Sequence, residues 1–188
     1  MKKIVLSILV LSLGVILPGA GKKFSASIGA AAFVSGDSGF KSLYGDVQVS
    51  PEIKLSYDLL PHFYLWLGAG FVAASGEIPV VEDGIKATQT FLALGVGWET
   101  RRLGRLQADL AAALLMAATR EKAMGVTASK SAPGFDARAG LRYFLRDNLF
   151  LGIMLGYAGA WTTVKINDRE KDIVLGGLRL GGSVGFRF

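Results

Sequence analysis

Between positions 46 and 58 apolar and polar residues alternate without interruption. Val47, Val49, Pro51, Ile53, Leu55 and Tyr57 are interleaved with Asp46, Gln48, Ser50, Glu52, Lys54, Ser56 and Asp58. A period of two assigns the two sets to opposite faces of a β-strand. The rhythm returns near the end, where Leu178, Leu180, Val184, Phe186 and Phe188 share one face and Arg179, Gly181, Ser183, Gly185 and Arg187 the other. A fifth strand sets Leu106, Ala108, Leu110, Ala112, Leu114 and Met116 against Arg105, Gln107, Asp109, Ala111 and Ala113. A sixth sets Phe135, Ala137, Ala139, Leu141, Tyr143 and Leu145 against Asp136, Arg138, Gly140, Arg142 and Phe144. A seventh sets Leu149, Leu151, Ile153, Leu155, Tyr157 and Trp161 against Phe150, Gly152, Met154, Gly156 and Ala158. The third and fourth are more apolar; Phe63 to Phe71 and Thr90 to Trp98 are read with Phe63, Leu65, Leu67, Leu92, Leu94, Val96 and Trp98 outward. The first, over residues 24–34, turns Phe24, Ala26, Ile28 and Val34 outward.

The connections alternate in length. Asp58-Leu59-Leu60-Pro61-His62, Thr100-Arg101-Arg102-Leu103-Gly104 and Arg146-Asp147-Asn148 read as tight turns. Between them lie four longer polar links, 36–45, 75–86, 120–134 and 164–172, expected to be loops. Long and short therefore alternate through seven connections, as eight antiparallel up-and-down strands require. None of the apolar rows carries a charge along its centre, and a charge at a bilayer midplane costs about 2 to 4 kcal/mol. In hydrocarbon every backbone donor and acceptor must be paired within the protein, so strands can cross only as a closed barrel. The expected fold is all-β: an eight-stranded antiparallel up-and-down transmembrane β-barrel. In such barrels the short turns face the periplasm and the long links face outward. Aromatic belts at the two lipid–water boundaries are then expected from Tyr57, Phe63, Trp98 and Tyr143 on the periplasmic side and Trp161 on the outer side.

The N-terminus departs from this pattern. Lys2 and Lys3 precede an apolar run from Ile4 to Leu17, then Pro18 and the small residues Gly19-Ala20-Gly21. The run is shorter than the roughly 20 residues of a membrane helix. It is expected to be a cleaved secretory signal over residues 1–21, with Sec-dependent export and a barrel domain over 22–188. Loss of Lys2 and Lys3 from the 21 basic residues lowers the formal charge from +6 to +4. The remaining bases are mixed with acids along the chain, without the stripe that tracks nucleic-acid phosphates, so no nucleic acid is expected as a partner. With no Cys, there is no disulfide framework, thiolate metal site or lipid-attachment residue.

The face opposite the apolar rows carries Glu52, Lys54, Asp109, Asp136, Arg138, Arg142 and Arg179. Inside a barrel of this size, buried charges must be paired. A salt-bridge plug is expected, with Asp109 near Arg142 and Glu52 facing bases across the lumen; the competing reading of the same charges is a gated ion path. The only histidine, His62, falls in a short turn at the end away from external substrates, where a solvated side chain is expected. No Ser-containing motif accompanies it, so no catalytic site, cofactor or metal is expected. The long links are charged and mixed, with Glu77, Glu82 and Asp83, then Arg120, Glu121 and Lys122, then Asp168 to Asp172, and offer a surface to a ligand or partner.

The terminal Val184-Gly185-Phe186-Arg187-Phe188 and the hairpin from Leu141 to Gly152 resemble the small outer-membrane barrel family typified by the OmpA membrane domain and OmpX. The resemblance implies an outer-membrane location, contact with outer-membrane lipid or lipopolysaccharide, and an assembly signal at Phe186 and Phe188 read by the barrel-assembly machinery. It also leads us to expect a chain without the cell-wall-binding domain of OmpA. The functional expectation is a non-enzymatic envelope-structural or surface-loop protein. A narrow porin-like channel for ions or small apolar molecules is the first alternative, and a soluble periplasmic ligand-binding barrel the second.

Overall fold

The computed structural model describes residues 24–78, 81–123, 126–166 and 169–188; the expected signal segment and its cleavage point lie outside them. Eight strands run in chain order: β1 (Phe24–Ser35), β2 (Gln48–Leu60), β3 (Phe63–Ile78), β4 (Val81–Glu99), β5 (Leu106–Ala123), β6 (Val126–Phe144), β7 (Leu149–Ile166) and β8 (Arg169–Arg187). Each pairs antiparallel with its sequence neighbour, and β8 returns to β1 to close the barrel. Closure continues to the last residue, where the Phe188 amide donates to the Phe24 carbonyl at 2.7 Å.

The register climbs steadily around the wall. From Ser25 it passes through Ser56, Trp66, Gly95, Ala113, Asp136, Ala158 and Gly177, and comes back to β1 at Ser35, ten residues above its start. A shear of ten over eight strands tilts them by roughly 45° and leaves an interior that side chains can fill.

The faces separate as the alternation dictates. Leu114, Ile28, Ile153, Leu180, Val96 and Leu94 are exposed on the outside, Leu114 to 80%. Arg179 and Asp136 are each 1% exposed inside. Charges inward and bare aliphatics outward invert the pattern of a water-soluble barrel. The outer wall is a surface made for hydrocarbon, and this excludes the soluble ligand-binding alternative.

The longer links depart from expectation. Three of the four expected loops are largely strand: Ser75 pairs with Lys86, Arg120 with Ser129, and Thr163 with Asp172, so these hairpins continue the barrel wall beyond the apolar band. Their polar composition reflects the water around them, while backbone pairing carries on because each strand already has its neighbour in register. Only the first link folds differently, into a short helix α1 (Ser38–Tyr44). The Asp37 side chain caps it by accepting from the Phe40 amide at 2.8 Å, and Gly45 ends it at φ +87°.

Helix α1 lies in the outer mouth. Its Phe40 and Tyr44 bury against Ala74, Ile85 and Ala87 from the lumen faces of β3 and β4. Contact is close at Gly76, where an added Cβ would sit 2.1 Å from the Leu43 carbonyl oxygen. Burial, with the nearby Glu121 carboxylate, pushes the Tyr44 hydroxyl up to about 12.

Candidate functional site: the lumen

The lumen is filled in two sections. Toward the short turns it is ionic. Glu52 spans Arg138 (2.8 Å) and Arg179 (3.0 Å), and Asp136 spans the same two guanidiniums, with 2.7 Å to Arg138 Nε. Two carboxylates bridging two arginines make a closed ring. Below it runs a chain of alternating sign. Lys54 lies 3.7 Å from Asp109, Asp109 3.3 Å from Arg142, Arg142 3.0 Å from Glu99, Glu99 2.7 Å from Arg187, and Arg187 2.8 Å from Asp58. The Tyr64 hydroxyl donates to Asp109 Oδ2 at 2.7 Å and accepts from Lys54 Nζ at 3.2 Å. The Arg138 guanidinium stacks 4.6 Å over Trp66.

All seven residues expected in this network meet there, with Asp109 beside Arg142 and Glu52 between two arginines. Glu99, Arg187, Asp58 and Tyr64 join them without having been expected. All four have inward parity, but Glu99, Arg187 and Asp58 lie at strand ends, Asp58 in a segment read as a turn. Room for Tyr64 comes from Gly97 on the neighbouring strand: a Cβ there would lie 2.1 Å from the phenol ring. The network balances five acids (Glu52, Asp58, Glu99, Asp109, Asp136) against five bases (Lys54, Arg138, Arg142, Arg179, Arg187). Buried charges in this setting persist only when paired and hydrogen-bonded, because each would otherwise cost several kcal/mol.

The outer section is apolar. Phe33, Val72, Phe91 and Leu115 pack with alanines 93, 117, 132, 158 and 160 and with Leu175, and the Phe33 and Phe91 rings stand 5.8 Å apart. Helix α1 closes the column above. Beside the ionic section a cavity of about 70 Å³ remains, walled by Ser25, Ser27, Ser183, Gly152 and Phe150. At roughly 10–15 Å³ per water it has room for about five to seven waters.

His62 differs from the expected solvated side chain. Its backbone takes φ 76° in the turn after β2, and its Nδ1 lies 2.9 Å from the Glu99 carbonyl oxygen. It fastens the turn to β4 at the end of the barrel. Among the described residues no group of three or more His, Asp or Glu side chains is arranged to hold a metal ion. At the closing seam the Phe188 ring lies 5.9 Å from Phe24 and 5.0 Å from Phe186. Tyr57, Phe63, Trp98 and Tyr143 are exposed outward near the short turns, and Trp161 is exposed outward near the opposite end. The side chains of Glu77, Glu82, Asp83 and Asp168 lie outside the described residues.

Neither a protein-family model nor a curated protein matches the sequence. Solved structures do match. Neisserial surface protein A is 14% identical, with a TM-score of 0.65 over 88% of this chain and 97% of that one. The attachment invasion locus protein Ail of Yersinia pestis is 17% identical, with a TM-score of 0.58 over 90% of this chain and all of that one. The outer membrane protein OprG of Pseudomonas aeruginosa is 13% identical, with a TM-score of 0.60 over 89% and 96%. Identities this low speak for architecture, and architecture hosts many activities. The chain therefore has the fold of the small eight-stranded outer-membrane β-barrels.

Proposed function

We propose that this chain is an exported integral protein of the bacterial outer membrane, non-enzymatic, with a closed lumen, which supports the envelope and presents its long hairpins at the cell surface. The carrying observation is the filled lumen: a charge-balanced ionic section below, an apolar section above and a helix across the mouth. A conducting pore needs a continuous aqueous path, and fixed ion pairs followed by packed phenylalanines oppose one. Residues 1–21 would direct export and be removed. Phe186 and Phe188, on the closing strand, would then be read by the assembly machinery. A role for the hairpins in surface binding has a parallel in Ail, whose structure has been solved with the heparin analogue sucrose octasulfate.

Planar-bilayer recording of the purified, folded protein tests the reading. A silent membrane at protein levels that give heat-modifiable gel mobility is the expected result. Reproducible single-channel steps would overturn the closed lumen in favour of the narrow channel.

A further inference from the structure

The cavity beside the ionic section offers more donors than the protein's own acceptors take up. Its charged walls are Lys54, Arg138 and Arg142 against Glu52 and Asp109, three bases to two acids. Both oxygens of each acid already face a protein donor. Glu52 Oε1 and Oε2 meet Arg179 and Arg138, Asp109 Oδ1 meets Arg142, and Asp109 Oδ2 accepts from Tyr64. Lys54 is less well supplied. Its Nζ donates to the Tyr64 hydroxyl at 3.2 Å, and the nearest carboxylate oxygen stands off at 3.7 Å. An ammonium carries more N–H groups than those two contacts use. Ser27 lies directly opposite Lys54 in the register, and Ser183 opposite Gly29 at the next inward pair. Both serines border the cavity, and among the described residues neither hydroxyl hydrogen-bonds to a protein group. Solvent enters from the short turns: the Asp58 side chain is 27% exposed and Lys54 18%, while Arg179 and Asp136 beyond them are buried.

We propose that this cavity binds a small monovalent anion of the halide class, entering past the short turns, a role beyond the envelope function proposed above. The Lys54 ammonium and the Ser27 and Ser183 hydroxyls donate to it. Donors gathered on one side of a small space suit a single-atom anion, which accepts from any direction. Hydrogen bonds from an ammonium to an anion are roughly twice as strong as those between neutral groups. A buried donor without an acceptor costs about 1–3 kcal/mol, so the anion also relieves a penalty carried by the empty site. The surplus of base in the walls disfavours a cation in the same place. Above the site the ring of Glu52, Asp136, Arg138 and Arg179 stops the ion, so the cavity is a blind end and not a path.

Trp66 supplies the reporter, because its ring lies 5.3 Å from Lys54 Nζ inside the barrel. The test uses the full folded chain in phosphatidylcholine nanodiscs, with W98F/W161F leaving Trp66 as its one tryptophan. Iodide, a heavy-atom quencher, is titrated at constant ionic strength against gluconate. Quenching of Trp66 is expected to saturate, to be reversed by chloride, and to be absent with caesium, a quencher of opposite charge. K54Q and S27A/S183A, each made in that background, are both expected to raise the iodide concentration at half-saturation roughly tenfold. The serine pair leaves every charge in place, so it separates loss of the site from disturbance of the ion pairs. No quenching, quenching that rises without saturating, or equal quenching by caesium overturns the proposal and leaves a cavity holding water only. Unchanged half-saturation in either variant overturns it as well. Heat-modifiable mobility checks that each variant is folded. Conductance is recorded on the same samples, so failure of the closed-lumen reading is visible apart from failure here.

Discussion

The inner and outer sections of the lumen fill the same cylinder by opposite means. Near the short turns, ten charged groups are held by direction: each guanidinium must meet a particular carboxylate oxygen, and one loss leaves others unpaired. Near the mouth, Phe33, Val72, Phe91 and Leu115 are held by shape, and each contributes in proportion to the surface it buries. The contrast teaches that one barrel can be sealed by specificity at one end and by bulk at the other. The two seals should fail differently.

The largest effect is expected from R179A, which leaves Glu52 and Asp136 short of a shared partner. Breaking a buried pair on one side costs about 3–5 kcal/mol, read as a lower denaturant midpoint in vesicle-based unfolding. Removing one acid and one base of the ring together, with R179M/D136L, leaves Glu52 paired with Arg138 and should recover much of that loss; if it does not, the ring is not the unit described. In the apolar section L115A should cost about 2–4 kcal/mol, set by how far its neighbours collapse. Its cost should be insensitive to salt and to moderate changes of pH. A dependence like that of R179A would erase the distinction between the two sections.

A smaller effect is expected at the mouth. G76V drives a side chain into the Leu43 carbonyl and should lift α1, seen as faster tryptic cleavage at Lys41. Conductance should stay absent, because the ionic section still closes the barrel; steps in this variant would show that the helix alone was the seal. The smallest effect is a titration. The folded Tyr44 pKa stands above its unfolded value of 10.0, at about 12. Its contribution to helix docking is thus complete below pH 10 and is lost as pH rises through about 12. The tyrosinate absorbance difference between the unaltered chain and Y44F should therefore appear near pH 12. A midpoint near 10 would mean that the hydroxyl is free in water.

The same division governs how much of the molecule could be read from its residues. Where one face is charged and the other apolar, as from Val47 to Asp58, parity is unambiguous, and seven members of the ionic network follow from it. Toward the mouth both faces of β3 and β4 are apolar, so the inward set of Val72 and Phe91 carries no contrast with Phe71 and Leu92. Glu99 and Arg187 had the right parity but sat where strands end, and charges at strand ends usually meet water. Helix α1 is too short for a period of 3.6 to register; its only local marks are the Asp37 cap and Gly45. The wall extensions from Ser75 and Arg120 were hidden because polar residues on both faces suit a loop as well as a hydrated hairpin.

The climb of ten residues per circuit also has a consequence for how this protein can change over generations. Inside and outside alternate along every strand, so a closed circuit tolerates only even offsets. A slip of one residue in any single strand would turn charges toward lipid in all that followed until the β1–β8 seam, where the sheet could no longer meet itself. Insertions and deletions in the wall should therefore be purged or come as compensated pairs. Hairpin tips, which lie beyond the circuit, can lengthen or shorten freely. Variation among descendants of this chain should concentrate there, leaving the wall nearly constant in length while its sequence drifts.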